Sequence, residues 1–153
     1  MQILAHAFAK AAMFFSAGLL AEALGHDQIA KLGGAARVLP LTLLTIALGG
    51  LSLMGLPPSG GFSAKWLMLQ ASVASGQWLW TLPILAGGLL AAGYIYRILA
   101  PALSDDRISS ASPPKRSREA IALALAAIAI VLGFAPQTFF DFLEIGRPVV
   151  GQP

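Results

Sequence analysis

The chain has 153 residues, of which 57% are hydrophobic and only 11% are charged, and its mean hydropathy is +0.76. A soluble domain carries about 25% charged residues, so this composition predicts an integral membrane protein. The chain contains no cysteine, which excludes disulfides, Cys-ligated iron–sulfur clusters and thiolate zinc sites within it. The net charge of +3 is small and the basic residues lie mostly between apolar segments, so we predict no nucleic-acid partner. No cofactor motif is present, and His26 and Asp27 are typical of loop residues, so we predict no cofactor and no metal site.

Four apolar segments predict the fold class, an all-α integral membrane protein with about four transmembrane helices in a single membrane domain over residues 1–153. The first helix is predicted over about residues 3–24, and the second begins near Val38 and ends at a turn near residues 74–77. The third is predicted over about residues 79–100, and the fourth begins after Glu119 and ends near Phe134. A polar, proline-containing run at 104–118 predicts an exposed linker between the third and fourth helices.

Two ionisable residues interrupt the first apolar segment. His6 and Lys10 are four residues apart, so they lie on one face of the predicted helix, and Phe14 continues that face. Such residues are costly inside a membrane unless they meet water or partners, and histidine is a natural proton carrier near neutral pH. The pair is therefore a candidate proton relay. The alternative is that both residues mark an interfacial helix end that faces lipid headgroups.

The second apolar segment contains a helix-breaking sequence, GLPPSGG, at residues 55–61. Pro57 and Pro58 remove two backbone donors, and Gly55, Gly60 and Gly61 permit unusual backbone dihedrals. Irregular backbone at membrane depth is tolerated only inside protein or beside a water-filled cavity, and discontinuous helices mark ion sites in transporters. The alternative is an ordinary loop between two short helices, although the later one would then have only about fifteen residues where a span needs about twenty.

Lys65 lies about one turn beyond this break. The positive end of the following helix and burial away from water both favour a neutral amine there. A lysine that exchanges between its charged and neutral forms can take up and release protons, so Lys65 is the main candidate site residue. The alternative is a lysine whose amine reaches the membrane interface along an apolar stem.

The lysines and arginines between helices are distributed unevenly. With four helices, the first and third connections lie on the same side, and that side carries seven of the basic residues against Arg147 alone on the other. The positive-inside rule therefore predicts a multi-pass protein of the inner (plasma) membrane, with cytoplasmic loops at 25–37 and 101–118 and both termini outside. The seven residues are Lys31, Arg37, Arg97, Arg107, Lys115, Arg116 and Arg118.

Two sequence motifs resemble a known family. HAFAKA at residues 6–11, followed by Phe14, resembles a helix of the antiporter-like membrane subunits of respiratory complex I. LSLMGLPPSGGFSAKW at residues 51–66 resembles the second broken helix of the same family, and the ending AGYIYR with the later GFAP also fits. Multi-subunit cation/proton antiporters and membrane-bound hydrogenases share this module. The resemblance covers about residues 3–145.

This resemblance implies roles for the candidate residues. Lys65 matches a key proton-transfer lysine of the broken helix, and His6 and Lys10 match members of a polar axis along the membrane midplane. The family has more helices, arranged as two inverted repeats, and this chain matches only the last part. The first broken helix, its lysine and the paired glutamate have no counterpart here. The resemblance therefore implies a C-terminal fragment in which Met1 is an internal methionine or an assigned start.

The leading functional hypothesis is a proton-translocating membrane subunit of a complex I-type complex, either NADH:quinone oxidoreductase-like or hydrogenase-type, with a buried Lys/His relay. One alternative is a subunit of a multi-subunit Na+(cation)/H+ antiporter, and another is an inactive truncated fragment that only packs against partners. The chain itself carries no redox site, so any enzymatic activity would belong to the whole complex. Its expected partners are other membrane subunits, the lipid bilayer and protons, with Na+ as an open alternative.

Overall fold

The computed structural model describes residues 1–105 and 112–134, and these residues form helices and turns without any strand. The six α-helices are α1 (Gln2–Leu24), α2 (Ala35–Val38), α3 (Pro40–Met54), α4 (Gly60–Ala74), α5 (Thr81–Ala102) and α6 (Arg116–Val131). Short 3-10 helices lie at Ile29–Lys31 and Trp78–Trp80. The all-helical, strongly apolar structure agrees with the predicted all-α membrane class.

Two of the described segments, Gln2–Leu24 and Trp78–Ala102, have the length and apolar composition needed to cross a membrane. Pro40–Met54 is a shorter apolar helix. The predicted discontinuity is present, because α3 ends at Met54 and α4 begins at Gly60. The predicted turn near residues 74–77 is also present, and Gly76 adopts a positive φ of 73° there.

The fourth predicted helix begins earlier than the sequence interpretation placed it. Instead of starting after Glu119, α6 starts at Arg116, immediately after Lys115 in extended backbone. Pro113 and Pro114 disfavour helix before Lys115, and the polar residues that follow have no reason to delay the helix beyond that point. Glu119 consequently lies inside the first turn of α6. The central part of the predicted 104–118 linker, residues 106–111, and the predicted outside C-terminus lie outside the described residues.

The packed core lies between α1, α3 and α6, where small side chains allow the helices to approach closely. Each helix contributes an alanine, glycine, serine or threonine about every turn along its buried face. The fully buried small residues include Ala5, Ala9, Ala12 and Ser16 on α1, and Ala122, Ala126 and Ala129 on α6. On α3, a Cβ added to Gly49 would lie 3.3 Å from the Ala9 carbonyl oxygen.

Helix α5 runs back along both α4 and α3 in the antiparallel sense. Its Gly88 lies beside Met54 at the break, its Ile95 lies against Gly50 in α3, and Asp105 just beyond its end forms an ion pair with Arg37 before α3. Along α5 these contacts reach the end of α3 first and the residues before its start last, so α5 is antiparallel to α3. Because α5 also packs against α4, helices α3 and α4 lie one after the other along α5.

Candidate functional site

The break between α3 and α4 is closed by its own backbone and by one serine. Gly55 takes a left-handed conformation with φ 79°, and its N–H donates to the carbonyls of Leu51 and Ser52 at 3.1 Å each. The Ser59 hydroxyl accepts from the Phe62 N–H at 3.1 Å and donates to the Leu56 carbonyl at 2.7 Å. These bonds satisfy backbone groups at the end of α3 and at the start of α4, which a break inside a membrane requires.

Lys65 connects the two halves of this discontinuous pair. Its Nζ donates to the carbonyl oxygens of Leu53 at 3.0 Å and Met54 at 2.9 Å, the last carbonyls of α3. The carboxyl end of a helix carries partial negative charge and attracts a cation. The sequence argument considered only the positive end of α4 and desolvation, which favour the neutral amine. The structure adds an opposing interaction that favours the ammonium form.

A cavity of about 380 Å³ opens beside the Lys65 side chain. Its wall comes from the break, α4 and α5, and apart from Lys65 its lining is apolar or glycine, including Met54, Leu56, Phe62 and Trp66. The volume exceeds that of several water molecules, at about 30 Å³ each, although an apolar wall does not hold water strongly. The cavity therefore has room for water but offers it few hydrogen-bond partners besides the Lys65 amine.

Gly88 permits the close approach of α5 to this site. A Cβ at this position would lie 2.9 Å from the Met54 carbonyl oxygen and 3.3 Å from Lys65 Nζ. The Met54 oxygen is the same atom that accepts the Lys65 hydrogen bond. An added methyl group would therefore press on the bonded pair as well as on the α3 backbone.

We expect Gly88→Ala to lower the melting temperature of the protein, because overpacking of about 1–3 kcal/mol would fall directly on the Lys65 contact. Gly87→Ala is the matched control, since a Cβ there would meet no atom within 4 Å. Thermal unfolding of both variants in the same membranes checks this expectation. Equal melting temperatures for the two variants would mean that α5 does not pack against the Lys65 contact.

His6 and Lys10 lie off the buried alanine face of α1, and both side chains are exposed. Phe14 continues this face and is 73% exposed. Among the described residues no hydrogen bond joins either residue to Lys65. Ala5, the neighbour of His6, lies against Gly60 at the break, so α1 packs beside the break at His6 and Lys10 lies one turn further along.

The sequence interpretation missed two parts of this region. Gly88 was given no role at the site, and Glu119 was placed only at the flank of the fourth helix. In the structure Gly88 touches the Lys65 site, and Glu119 is 7% exposed and accepts a hydrogen bond from Thr42 at 2.8 Å. Within residues 1–105 and 112–134, no group of three His, Cys, Asp or Glu side chains could hold a metal ion.

A discontinuous apolar helix pair with a lysine held across its break is an architecture of ion-transporting membrane proteins. The family model described as NADH:quinone oxidoreductase/Mrp antiporter, TM, matches residues 1–91, which is more than half of the chain. The chain belongs to this family, and the resemblance inferred from the two motifs is confirmed.

Three similar proteins are named as subunits of NADH-quinone or NADH-ubiquinone oxidoreductases. The chain is 32% identical to NADH-quinone oxidoreductase subunit L of Campylobacter jejuni, over 91% of this chain and 24% of the relative. It is 30% identical to NADH-ubiquinone oxidoreductase chain 5 of Dictyostelium discoideum, over 94% of this chain and 23% of the relative. It is 31% identical to NADH-quinone oxidoreductase subunit N of Desulforudis audaxviator, over 65% of this chain and 20% of the relative.

The chain therefore spans about a fifth to a quarter of the length of these curated relatives. No solved structure matches it.

Proposed function

We propose that this chain is a proton-translocating part of the membrane arm of an NADH:quinone oxidoreductase-type complex. The observation that carries the proposal is the Lys65 amine, which bonds to the last two carbonyls of α3 from the first turns of α4. The relatives reported above are all named as subunits of such oxidoreductases and do not favour the antiporter alternative. Its partners are then other membrane subunits of the complex, and its cargo is protons.

In this proposal Lys65 is a two-state proton carrier. The α3 carbonyls stabilise the ammonium form, whereas a dry apolar cavity and the positive end of α4 stabilise the neutral amine. Wetting of the cavity or approach of another positive charge then shifts the balance, and a bias of a few kcal/mol is enough. His6 and Lys10 extend the relay from the exposed face of α1 toward neighbouring helices of the complex.

The proposed topology has four crossings, with α3 and α4 together making one of them. Three contacts support it by joining the two long connections at one end of the bundle. Arg37 pairs with Asp105, Arg118 pairs with Glu22 at 2.7 Å, and the Ser112 N–H donates to the Ala23 carbonyl at 2.9 Å. If α3 and α4 each crossed the membrane, Arg37 and Asp105 would lie on opposite faces and could not pair.

Cysteine labelling tests this topology, because the chain has no cysteine of its own. We expect Asp27→Cys and Ser112→Cys to react with an impermeant maleimide only from the cytoplasmic face. Ser75→Cys, at the turn after α4, should react only from outside. All three positions are exposed, so access within the chain does not distinguish them. Reaction of Asp27→Cys and Ser112→Cys on opposite faces would contradict a single crossing by α3 and α4.

The functional test is proton translocation by membranes that contain the assembled complex with Lys65→Ala, compared with Lys31→Ala. Lys31 lies in the first connection and not at the break. Loss of translocation in the first variant alone would support the proposal. Normal translocation in both would favour the third hypothesis, a chain that only packs against its partners.

A further inference from the structure

A buried carboxyl group lies in the core of α1, α3 and α6, at the end of the bundle where the two long connections meet (the connection end). Glu119 is 7% exposed, and the Thr42 hydroxyl, which is fully buried, donates to its Oε1 at 2.8 Å. The neighbouring Arg118 points outward and pairs with Glu22, and none of the described residues forms an ion pair with Glu119. A carboxyl group inside a membrane bundle without a cation partner is a candidate proton carrier.

Further hydroxyl groups continue from Glu119 along the same core. Thr45 lies one turn beyond Thr42 and is fully buried, with its hydroxyl bonded to the Leu41 carbonyl. Ser16 is 0% exposed and Ser52 is 2% exposed, and among the described residues neither hydroxyl has a hydrogen-bond partner. Buried hydroxyls that lack a protein partner bind internal water in most proteins, so these two groups point to water inside the core.

The helix period places Thr42, Thr45 and Ser52 on one face of α3, so these groups follow one another along the core. Glu119 is level with Thr42, and Ala129 in α6 is level with Gly60 at the break. At 1.5 Å per residue, the distance from Thr42 to Ser52 along α3 is about 15 Å. Ser52 is two residues before Met54, whose carbonyl holds Lys65. The line therefore leads from Glu119 at the connection end to the level of Lys65.

Between Thr45 and Ser52, the face of α3 carries Gly49 in place of a hydroxyl group, and the helices are tightly packed there. A Cβ on Gly49 would lie 3.2 Å from Met13 Cγ and 3.4 Å from its sulfur. The Met13 side chain thus lies against α3 between Thr45 and Ser52. It also borders a second cavity of about 210 Å³ near His26 and Asp27. Methionine side chains change rotamer readily, so Met13 can move without rearranging the helices.

We propose that Glu119 is a proton-loading carboxyl group that supplies Lys65 through water held by these hydroxyls, with Met13 closing the line at rest. The Glu119 carboxylate takes a proton from water at the connection end and becomes neutral. It then gives that proton to the water line, and the neutral Lys65 amine accepts a proton at the other end. No electron transfer is involved, and each donor returns to its starting state. This proposal rests on the proton-translocating function proposed above.

The test is proton translocation by the assembled complex with Glu119→Gln, Glu119→Asp and Glu22→Gln. Glutamine keeps the size of the side chain and an acceptor for Thr42, but it cannot carry a proton. We expect Glu119→Gln to reduce translocation by about tenfold or more, as loss of a proton-transfer group does. Glu119→Asp should recover part of the rate. Glu22→Gln is the matched control, an exposed carboxyl group at the same end of the bundle, and should translocate at the wild-type rate.

Two outcomes are distinguished by including Lys65→Ala. If Glu119→Gln translocates like wild type while Lys65→Ala does not, the role of Glu119 is wrong and the proposed function stands. If both translocate like wild type, the proposed function itself is wrong. Should Glu119→Gln fail to assemble, Ser16→Ala decides, because it removes a buried hydroxyl without a partner and should not harm packing. Wild-type translocation by Ser16→Ala would then overturn the water line.

Discussion

Replacement of Lys65 with alanine is expected to abolish or strongly reduce proton translocation by the complex that contains this chain, while leaving its assembly intact. The amine is the one charged group in the wall of the cavity at the break, and it alone reaches the last carbonyls of α3 among the described residues. Lys65 is half-buried beside that cavity, so water can take over the Leu53 and Met54 carbonyls when the amine is removed. The structural cost of the substitution is therefore small compared with its functional cost.

Two further substitutions separate charge from proton transfer at this position. Lys65→Arg should translocate poorly, because arginine retains its charge at every physiological pH and cannot alternate between two forms. Lys65→Glu should keep partial function, since a carboxyl group can also carry a proton. Lys31→Ala is the control, because Lys31 lies in an exposed short helix of the first connection.

The measurement is proton translocation in membranes that contain equal amounts of assembled complex for all four variants. Wild-type translocation by Lys65→Ala would show that the amine is an interfacial anchor and that the relay assigned to it does not exist. Full activity of Lys65→Arg would exclude a mechanism in which this residue becomes neutral.

The break itself was predictable from sequence because its causes are local. Pro57 and Pro58 cannot continue a helix, and Gly55 readily adopts the left-handed conformation that ends α3. The same holds for the turn at Gly76, which follows a run of small and polar residues. Local chemistry of this kind acts in the same way in any tertiary structure.

The partners of the site residues could not be predicted in the same way. The hydrogen bonds of Lys65 depend on how α4 folds back against the end of α3, and that geometry is fixed by packing at Gly61 and Gly88. Glu119 follows Arg116, Ser117 and Arg118, a pattern that is typical of a helix flank. The orientation of α6 about its axis nevertheless places the Glu119 side chain in the core. In the structure Glu119 lies on the same face of α6 as Ala122, Ala126 and Ala129, one turn before Ala122.

Gly61→Ala is expected to have the largest structural effect of the glycine-to-alanine substitutions in the described region. A Cβ at this position would overlap the carbonyl oxygen of Ser52 and would lie 2.8 Å from its carbonyl carbon. That oxygen also accepts the Gly55 N–H that ends α3. Relief of the clash requires separation of α3 from α4, because both sides of the contact are backbone or Cβ and neither can change rotamer.

The expected cost is about 3 kcal/mol or more, at or above the upper end of ordinary overpacking, because the obstructing atoms belong to a helix backbone. Separation of the half-helices would also draw Lys65 away from its carbonyl partners. We therefore expect Gly61→Ala to lower both the yield of assembled complex and its melting temperature, and to remove translocation from what assembles. Gly87→Ala, whose Cβ would meet open space, should match wild type in all three measurements. If Gly61→Ala assembled and melted like Gly87→Ala, α4 could not be packed against the end of α3, and the contact between Lys65 and the α3 carbonyls would lose its structural basis.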